Sequence, residues 1–519
     1  MAHCNDRDPG AMEADRRRGA PEPTIPRECA IGRSRISRRR ALKFGFGALS
    51  LPALAACDGD ASLGLPEGES PSTATGAMRG TPAGDKSSVE PGISLGQEPM
   101  TDAATPDRDQ IIDVGCGWFS YDVWIRLIGL SPEGQAAARL HATRLKDLKC
   151  INLQLEFVDW PGAFRQLVFE LESVHTASRW AAPDMWNAPA AWVPAMAAGD
   201  HVHAFANFTG LWDEFVGMYP AAVEGVTYEL PSGSIWGIPY SASYRGLPII
   251  RDSHLQDAGI ESDLPETWQE LNEFAARLTV KDGERFVRAG FNLRHDADSY
   301  EDWLLQAGGR SLNRARTAPL DDADAKVAAL YQHVRHGQVD GTMPAEGLRS
   351  PGDGLHEFCS GAIAMQQLWP EDLVNCQMHA PEVFADSLVG RPLRGPEKQT
   401  MQSFVNCYMM MRWTKEVDAV WYAMHYLRSN VPNFDIHFAG QVPMPCREQM
   451  QSLPTYEHEP YKTLAELAKH GLATRLAPQQ SEVDAAITRW VERAALGQIS
   501  VTQAVEEMDR ETMAILSSN

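Results

Sequence analysis

The chain has 519 residues, enough for a large core and, on a soft length prior, two or three domains. Apolar residues make up 44% and charged residues 22%, the balance of a globular protein, and the formal net charge is -22. Because residues 1–56 hold 11 Lys/Arg against 6 Asp/Glu, the remainder carries -27, a field that repels nucleic acid and anionic lipid and excludes the nucleic-acid-binding classes.

The first element in chain order is a processing signal. Arg38, Arg39 and Arg40 precede a short apolar run from Phe44 to Ala56 that closes with Leu54-Ala55-Ala56-Cys57. Paired arginines before a weakly hydrophobic segment read as a twin-arginine export signal. The closing tetrapeptide resembles a lipobox, which makes Cys57 the lipidation site and first mature residue. A run of 13 residues is too short to span a bilayer, which needs about 20. The expectation is an exported protein, periplasmic or on the cell surface, held to a membrane by lipid.

Asp58 to Gln110 holds no aromatic residue and is dominated by Gly, Pro, Ser, Thr, Ala and acids. Such a segment cannot bury enough apolar surface to offset its ordering entropy and reads as a disordered tether reaching about 40 Å. Folding is expected from Ile111. Asp122–Ile128 reads as a strand, Gln135–Lys149 as a helix, and Ile151–Val158 alternates as a half-buried strand does. Ala163–Ser178 reads as a helix, and Pro183–Trp186 as the end of a third strand. Strand–helix–strand order implies parallel pairing with right-handed crossovers.

Further on, Thr267 to Glu270 is a capping-box pattern followed by Leu271, Phe274, Ala275 and Leu278 on one face, with Trp268 assigned to the core. Val327, Leu330, Tyr331 and Val334 repeat at helical spacing, as do Val417, Val420, Trp421, Met424 and Leu427. Ser500 to Gln503 opens a final helix with a second capping-box pattern. Cys116, Cys150, Cys359, Cys376, Cys407 and Cys446 form no C-x-x-C pair, so metal-ribbon and thioredoxin chemistry is excluded. They allow up to three disulfides in an oxidising compartment, or free buried thiols, and spacing does not choose between these.

Several segments, taken in order, resemble one family. They are Leu153 to Trp160 (LQLEFVDW), Pro183 to Asn187 (PDMWN), Trp192 to Gly199 (WVPAMAAG), Trp236 to Ala242 (WGIPYSA), Asp257 to Ile260 with Leu264 to Trp268, Phe358 to Met365 (FCSGAIAM), and Ala495 to Ala504 (ALGQISVTQA). This series is similar to the extracellular solute-binding proteins of ABC importers, especially the sugar-binding family that includes the maltose-binding proteins. The resemblance runs from about Leu145 to the C-terminus. It implies a type II periplasmic-binding-protein fold: two α/β lobes, each a mostly parallel mixed sheet flanked by helices, joined by hinge crossings. The implied division is a signal at 1–56, a tether at 57–110, a first lobe at 111–240 with a return at 401–450, a second lobe at 241–400, and C-terminal helices at 451–519 mainly on the second lobe.

The resemblance implies ligand binding in the cleft between lobes, by a monomer that takes a small solute, with carbohydrate as the first expectation, and passes it to permease subunits. Sugars need aromatic platforms and hydroxyl-bonding side chains. By position these fall at Asn187 and Trp192 after the Pro-Asp strand, at Tyr240, Ser241, Ser243 and Tyr244 in the first crossing, at Trp369 in the second lobe, and at Ser403 and Asn406 in the returning segment. Departures from the family lie at Gly129–Gly134, longer and more apolar than its first turn, at Ala190 and Ala191, where relatives place polar contacts, and at Ser243, where some members have a carboxylate. Phe404–Met411 lacks the usual crossover glycines.

Enzyme chemistry finds no support in the motifs. There is no G-x-G-x-x-G or other phosphate-binding glycine loop, no G-x-S-x-G elbow and no H-E-x-x-H. His201 and His203 form a lone H-x-H, His333 and His336 lack a third ligand, and the acid pairs Asp321-Asp322 and Glu506-Glu507 read as helix-start or solvated charges. No catalytic residue, metal site or cofactor is assigned. Two other roles for the same chain are presentation of ligand to a chemoreceptor or sensor kinase, and an exported glycoside-acting enzyme.

Overall fold

The computed structural model describes residues 120–159, 163, 182–205, 215, 217–228, 234–261, 263–348, 358–367, 373, 376–377, 379–438 and 444–518. It opens with β1 (Tyr121–Ile128), α1 (Pro132–Lys149), β2 (Ile151–Val158) and β3 (Met185–Pro189). Alternation in β1 turns Val123, Ile125 and Leu127 inward, where all are fully buried. β1 pairs in parallel with β2 from Tyr121–Ile151 to Ile128–Val158, and with β3 through Ile125 and Arg126.

The helix begins three residues before the expected Gln135, because Ser131 caps it. Its Oγ accepts the Gly134 N–H at 3.0 Å, and Pro132 occupies the first turn. The apolar Gly129–Gly134 stretch is therefore largely a capped helix start. The third strand differs too, since Pro183-Asp184 opens it. The Asp184 carboxylate accepts the Trp124 N–H at 2.8 Å and pins the start of β3 to β1. The helix expected at Ala163–Ser178 falls, beyond Ala163, outside the described residues.

A long strand, β4 (Ile238–Arg245), runs straight into β5 (Pro248–Arg251), and α2 (Pro220–Gly225) precedes them. After β5 come α3 (Trp268–Leu278), α4 (Ala297–Gln306), α5 (Ala323–Val334), β6 (Met365–Gln367) and β7 (Ser387–Val389). Then β8 (Met401–Met410), α6 (Val417–Arg428), β9 (Gly471–Ala473), α7 (Gln480–Ala495) and α8 (Val501–Leu516) complete the main elements. The first sheet has the order β9-β8-β3-β1-β2, with β4 also paired to β8. β8 runs antiparallel to β3 and β4 and parallel to β9. The second sheet is β6-β5-β7, antiparallel throughout.

Buried apolar side chains fall into two bodies. One holds Ile125, Trp186, Tyr240, Tyr408 and Trp421; the other holds Leu271, Phe291, Trp303, Leu330 and Ile487. The changeover lies within β5, where Leu247 and Ile249 belong to the first core and Ile250 to the second. The tail divides likewise: Leu453 to Ala468 pack in the first core and Val483 to Met508 in the second. The expected capping box at Thr267 is complete, with Oγ1 accepting the Glu270 N–H at 3.2 Å and the Glu270 carboxylate accepting the Thr267 N–H at 3.0 Å. At Ser500 the hydroxyl caps Gln503, whose side chain meets that hydroxyl in return.

Cys359 and Cys376 form a disulfide across a Cα separation of 5.6 Å, Cys150 is disulfide-bonded as well, and Cys407 and Cys446 are buried free thiols. Among the described residues no helix is long and apolar enough to cross a membrane.

Candidate functional site

The two lobes meet where β4 and β8 cross side by side. Their register places Arg245 opposite Gln402, Tyr244 opposite Ser403, Ser243 opposite Phe404 and Ser241 opposite Asn406, with a bulge after Asn406. Of the candidate residues from the sequence, Asn187, Tyr240, Ser241, Ser243, Tyr244, Ser403 and Asn406 lie on or beside this pair. The Asn187 Oδ1 accepts the Ile128 N–H at 2.6 Å, and its Nδ2 donates to the Tyr240 hydroxyl at 3.1 Å. Asn187 thus clasps the end of β1 and the first crossing. Tyr240 is buried with its ring stacked on His437 at 4.1 Å, and burial pushes its hydroxyl well above the usual range.

Tyr244 is buried and donates to the Pro445 carbonyl at 2.9 Å. Ser241 Oγ accepts from Asn406 Nδ2 at 3.3 Å and links the two crossings. Ser243 and Ser403 are buried, and Asn406 is half-buried. Trp192 is 4% exposed and packs edge-on to Trp186, centroids 6.3 Å apart. In the described state these side chains chiefly contact protein. Trp369 and Cys57 lie outside the described residues.

The second lobe adds groups that sequence reasoning missed. Arg245, 3% exposed, projects from the end of β4 to the start of α4. There it donates to Ser299 Oγ, faces Asp302 at 3.3 Å and Asp296 at 3.8 Å. Asp296 caps α4 by accepting the Ser299 N–H at 2.8 Å. With its nitrogen turned toward the acceptors, the Gln402 amide donates to the Asp298 carbonyl and to Asp302 Oδ1, both at 3.1 Å, and accepts from Thr474. Asp484 accepts from Gln480 at 2.8 Å. The signal available in the sequence was Asp296-Ala-Asp-Ser299 before an apolar helix, an N-cap pattern, together with the arginine that ends the crossing.

Charge is unevenly balanced here. Burial, and then the Asp296 charge, push the Asp298 carboxyl up to about 7. Burial raises Asp302 and Asp484 well above the carboxylate range, in Asp302 against the pull of Arg245. The half-buried Asp296 and Asp298 therefore offer acceptors at the start of α4, with Arg245 and Arg294 both acting on them. A second contact joins the lobes. Glu224 of α2 lies 3.5 Å from Arg475 and 3.9 Å from Arg310, in the segment after α4. Arg316 of that segment donates to the Thr227 carbonyl at 2.6 Å and sits 5.4 Å over the Tyr228 ring.

Among the described residues, the His–carboxylate–hydroxyl group around His141 lacks a nucleophile. His141, on the buried face of α1, bonds Asp435 at 2.8 Å and the Tyr426 hydroxyl at 3.0 Å, and among the described residues no Ser or Cys nucleophile joins these side chains. Among the described residues no group of three His, Cys, Asp or Glu side chains could hold a metal ion. The crossing strands and the start of α4 bring carboxyl, amide and hydroxyl groups of both lobes to one junction.

Two α/β lobes, each with its own core and joined through the β4–β8 pair and β5, have the architecture of the periplasmic-type binding proteins. The family described as bacterial extracellular solute-binding protein matches residues 171–468, more than half of the chain, and the chain belongs to it. Solved structures agree on the fold. The sugar-binding protein MalE from Xanthomonas citri superposes with a TM-score of 0.66 at 19% identity, covering 76% of this chain and 97% of that one. An ABC transporter solute-binding protein from Thermotoga lettingae, bound to α-D-tagatose, gives 0.61 at 17% identity over 77% and 100%. The maltose-bound T. maritima MalE3 gives 0.59 at 16% over 76% and 99%. No curated protein matched the chain.

Proposed function

We propose that this chain is an exported lipoprotein that captures a neutral, hydroxyl-rich solute, a mono- or oligosaccharide, between its lobes and delivers it to an ABC permease. The observation that carries the reading is the cluster of carboxyl and amide side chains where β4, β8 and the start of α4 meet. Sugar hydroxyls are donors, and the half-buried Asp296, Asp298 and Asp484 are the acceptors assigned to them in this reading. The tagatose- and maltose-bound relatives support a sugar over other solutes. Trp192 and Trp369 supply the apolar platforms, and Ser241, Ser243, Ser403 and Asn406 the hinge-side hydrogen bonds. Asn187, Tyr240 and Tyr244 set the frame on which those groups sit.

Membership of an extracellular family supports a site of action outside the cytoplasm. The disulfide at Cys359–Cys376 is consistent with an oxidising compartment. The twin-arginine run and Cys57 supply the route and the lipid anchor. Binding is differential: closed lobes bury the solute, and the permease reads the closed form. A thermal-shift screen of the chain from Asp58 onward against sugars, polyols, polyamines and peptides tests the reading. A sugar that raises the midpoint in proportion to the logarithm of its concentration supports it. Stabilisation by peptides or polyamines alone refutes the sugar assignment, and turnover of a glycoside refutes the binding role.

A further inference from the structure

One buried arginine answers to two carboxylates that belong to different lobes. Glu224 lies on α2, and Ala222 and Val226 on either side of it pack in the first core. Glu301 lies on α4, where Tyr300 and Trp303 pack in the second core. Arg310 follows α4. Gly308 leaves that helix at φ 91°, a left-handed turn that favours glycine, and Ser311 ties the chain back to the helix by donating to the Glu301 carboxylate. Arg310 is left 9% exposed, with Nη2 3.9 Å from the Glu224 carboxylate across the lobe boundary.

The guanidinium is only partly engaged there. Among the described residues, neither Arg310 Nη1 nor Glu301 Oε1 has a hydrogen-bond partner, and both atoms are buried. Burial lowers Arg310 from the usual arginine range, and Glu301, ahead of Glu224, supports its charge. Burial likewise raises the Glu301 carboxyl, against the pull of Ser311 and then of Arg310. An orphaned buried donor and an orphaned buried acceptor are each costly, and one swing of Arg310 toward Glu301 would satisfy both. Glu224, itself 3.5 Å from Arg475, competes for the same guanidinium.

We propose that Arg310 is a two-position arm that couples the placement of the lobes to a choice of partner: Glu224 when α2 and the segment after α4 stand together, Glu301 when they part. Each partner then favours one arrangement, and the balance between them sets how often the lobes separate on this side. Neighbouring contacts limit the amplitude. Arg475 donates to the Leu312 carbonyl at 3.3 Å and acts on Glu301 as well as Glu224, and Arg316 donates to the Thr227 carbonyl at 2.6 Å. These do not depend on Arg310, so deleting one position of the arm shifts populations without dissolving the junction. Because the Glu224 side chain is 34% exposed, its pairing is expected to change their ratio by about threefold.

Double electron–electron resonance between nitroxides on Ala198→Cys, in the first lobe, and Ala323→Cys, at the start of α5, reads the separation. Both positions are exposed, whereas Cys407 and Cys446 are buried. The chain from Asp58 onward is measured at pH 8 with no ligand added. Glu224→Gln is expected to raise the ratio of separated to joined populations about threefold. Glu301→Gln, which deletes the competing carboxylate and keeps an acceptor for Ser311, is expected to lower it about threefold. Raising salt from about 0.02 M to about 0.5 M should act on the natural chain as Glu224→Gln does, and change little in that variant. An unchanged distribution in Glu224→Gln, or a shift in the same direction in both variants, overturns the proposal. Should Glu301→Gln not fold, the salt comparison decides: a response lost in Glu224→Gln upholds the arm, and one that persists undiminished overturns it. No sugar enters the measurement, so its outcome is separate from that of the solute-binding reading.

Discussion

Replacing Arg245 with methionine probes the junction between hinge and second lobe most sharply. The guanidinium is 3% exposed and stands 3.3 Å from the fully buried Asp302 carboxylate and 3.8 Å from Asp296. Methionine fills much of the volume and removes the charge, so Asp302 is left as a buried carboxylate with only the Gln402 amide for company. Breaking one side of a buried pair costs about 3–5 kcal/mol. Asp302 escapes part of this by taking up a proton, toward which burial already pushes it. The net loss expected at pH 8 is about 3 kcal/mol, and it shrinks as pH falls toward 5 because a protonated Asp302 needs no partner. For a lobe of this size that is a drop in midpoint of about 6–12 °C. Urea titration at pH 8 and pH 5, followed by intrinsic fluorescence, measures it. Arg245→Met/Asp302→Leu should recover most of the loss, since the charge and its partner leave together. A loss below about 1 kcal/mol at pH 8, or a loss larger at pH 5, refutes the reasoning.

Asp298→Asn removes a carboxyl that burial raises to about 7. A raised acid contributes stability that is complete below its unfolded value near 3.8 and is lost as pH rises from there to about 7, so the variant should melt higher than the natural chain at pH 8, by less at pH 5, and nearly equal to it only below about pH 4. Its sugar affinity should fall at least tenfold at pH 8 and at pH 5, as expected when a positioned acceptor is lost. Trp369→Ala should weaken sugar binding by about 1–3 kcal/mol in calorimetry with the melting midpoint nearly unchanged. A collapse of the midpoint instead would make Trp369 a core residue.

The first lobe was legible because its signals are local. Ile151–Val158 alternates cleanly and forms β2 with those bounds, and Thr267 with Glu270 makes the expected capping box. Errors arose where a cap rather than a hydrophobic pattern sets the boundary. Ser131 starts α1 early, and Asp184 anchors the beginning of β3 where the sequence suggested an end. The family resemblance carried the two-lobe fold, which periodicity alone does not distinguish from other α/β arrangements. The junction was harder to read. Arg245, Asp296, Asp302 and Gln402 span more than 150 residues of sequence and meet only because β4 and β8 cross together. Tyr244 looked available for hydrogen bonding, but its partner, the Pro445 carbonyl, lies 201 residues away. The pairing of Cys359 with Cys376 was likewise not encoded in spacing, since both cysteines lie in segments without a periodic signature.

The account stands most directly on small-angle scattering of the chain from Asp58 onward, recorded with and without the sugar that raises its melting midpoint most. The account predicts a smaller radius of gyration on saturation, reversed by dialysis, with the sugar recovered unaltered. An unchanged radius at saturating sugar, or a sugar returned cleaved, would contradict it.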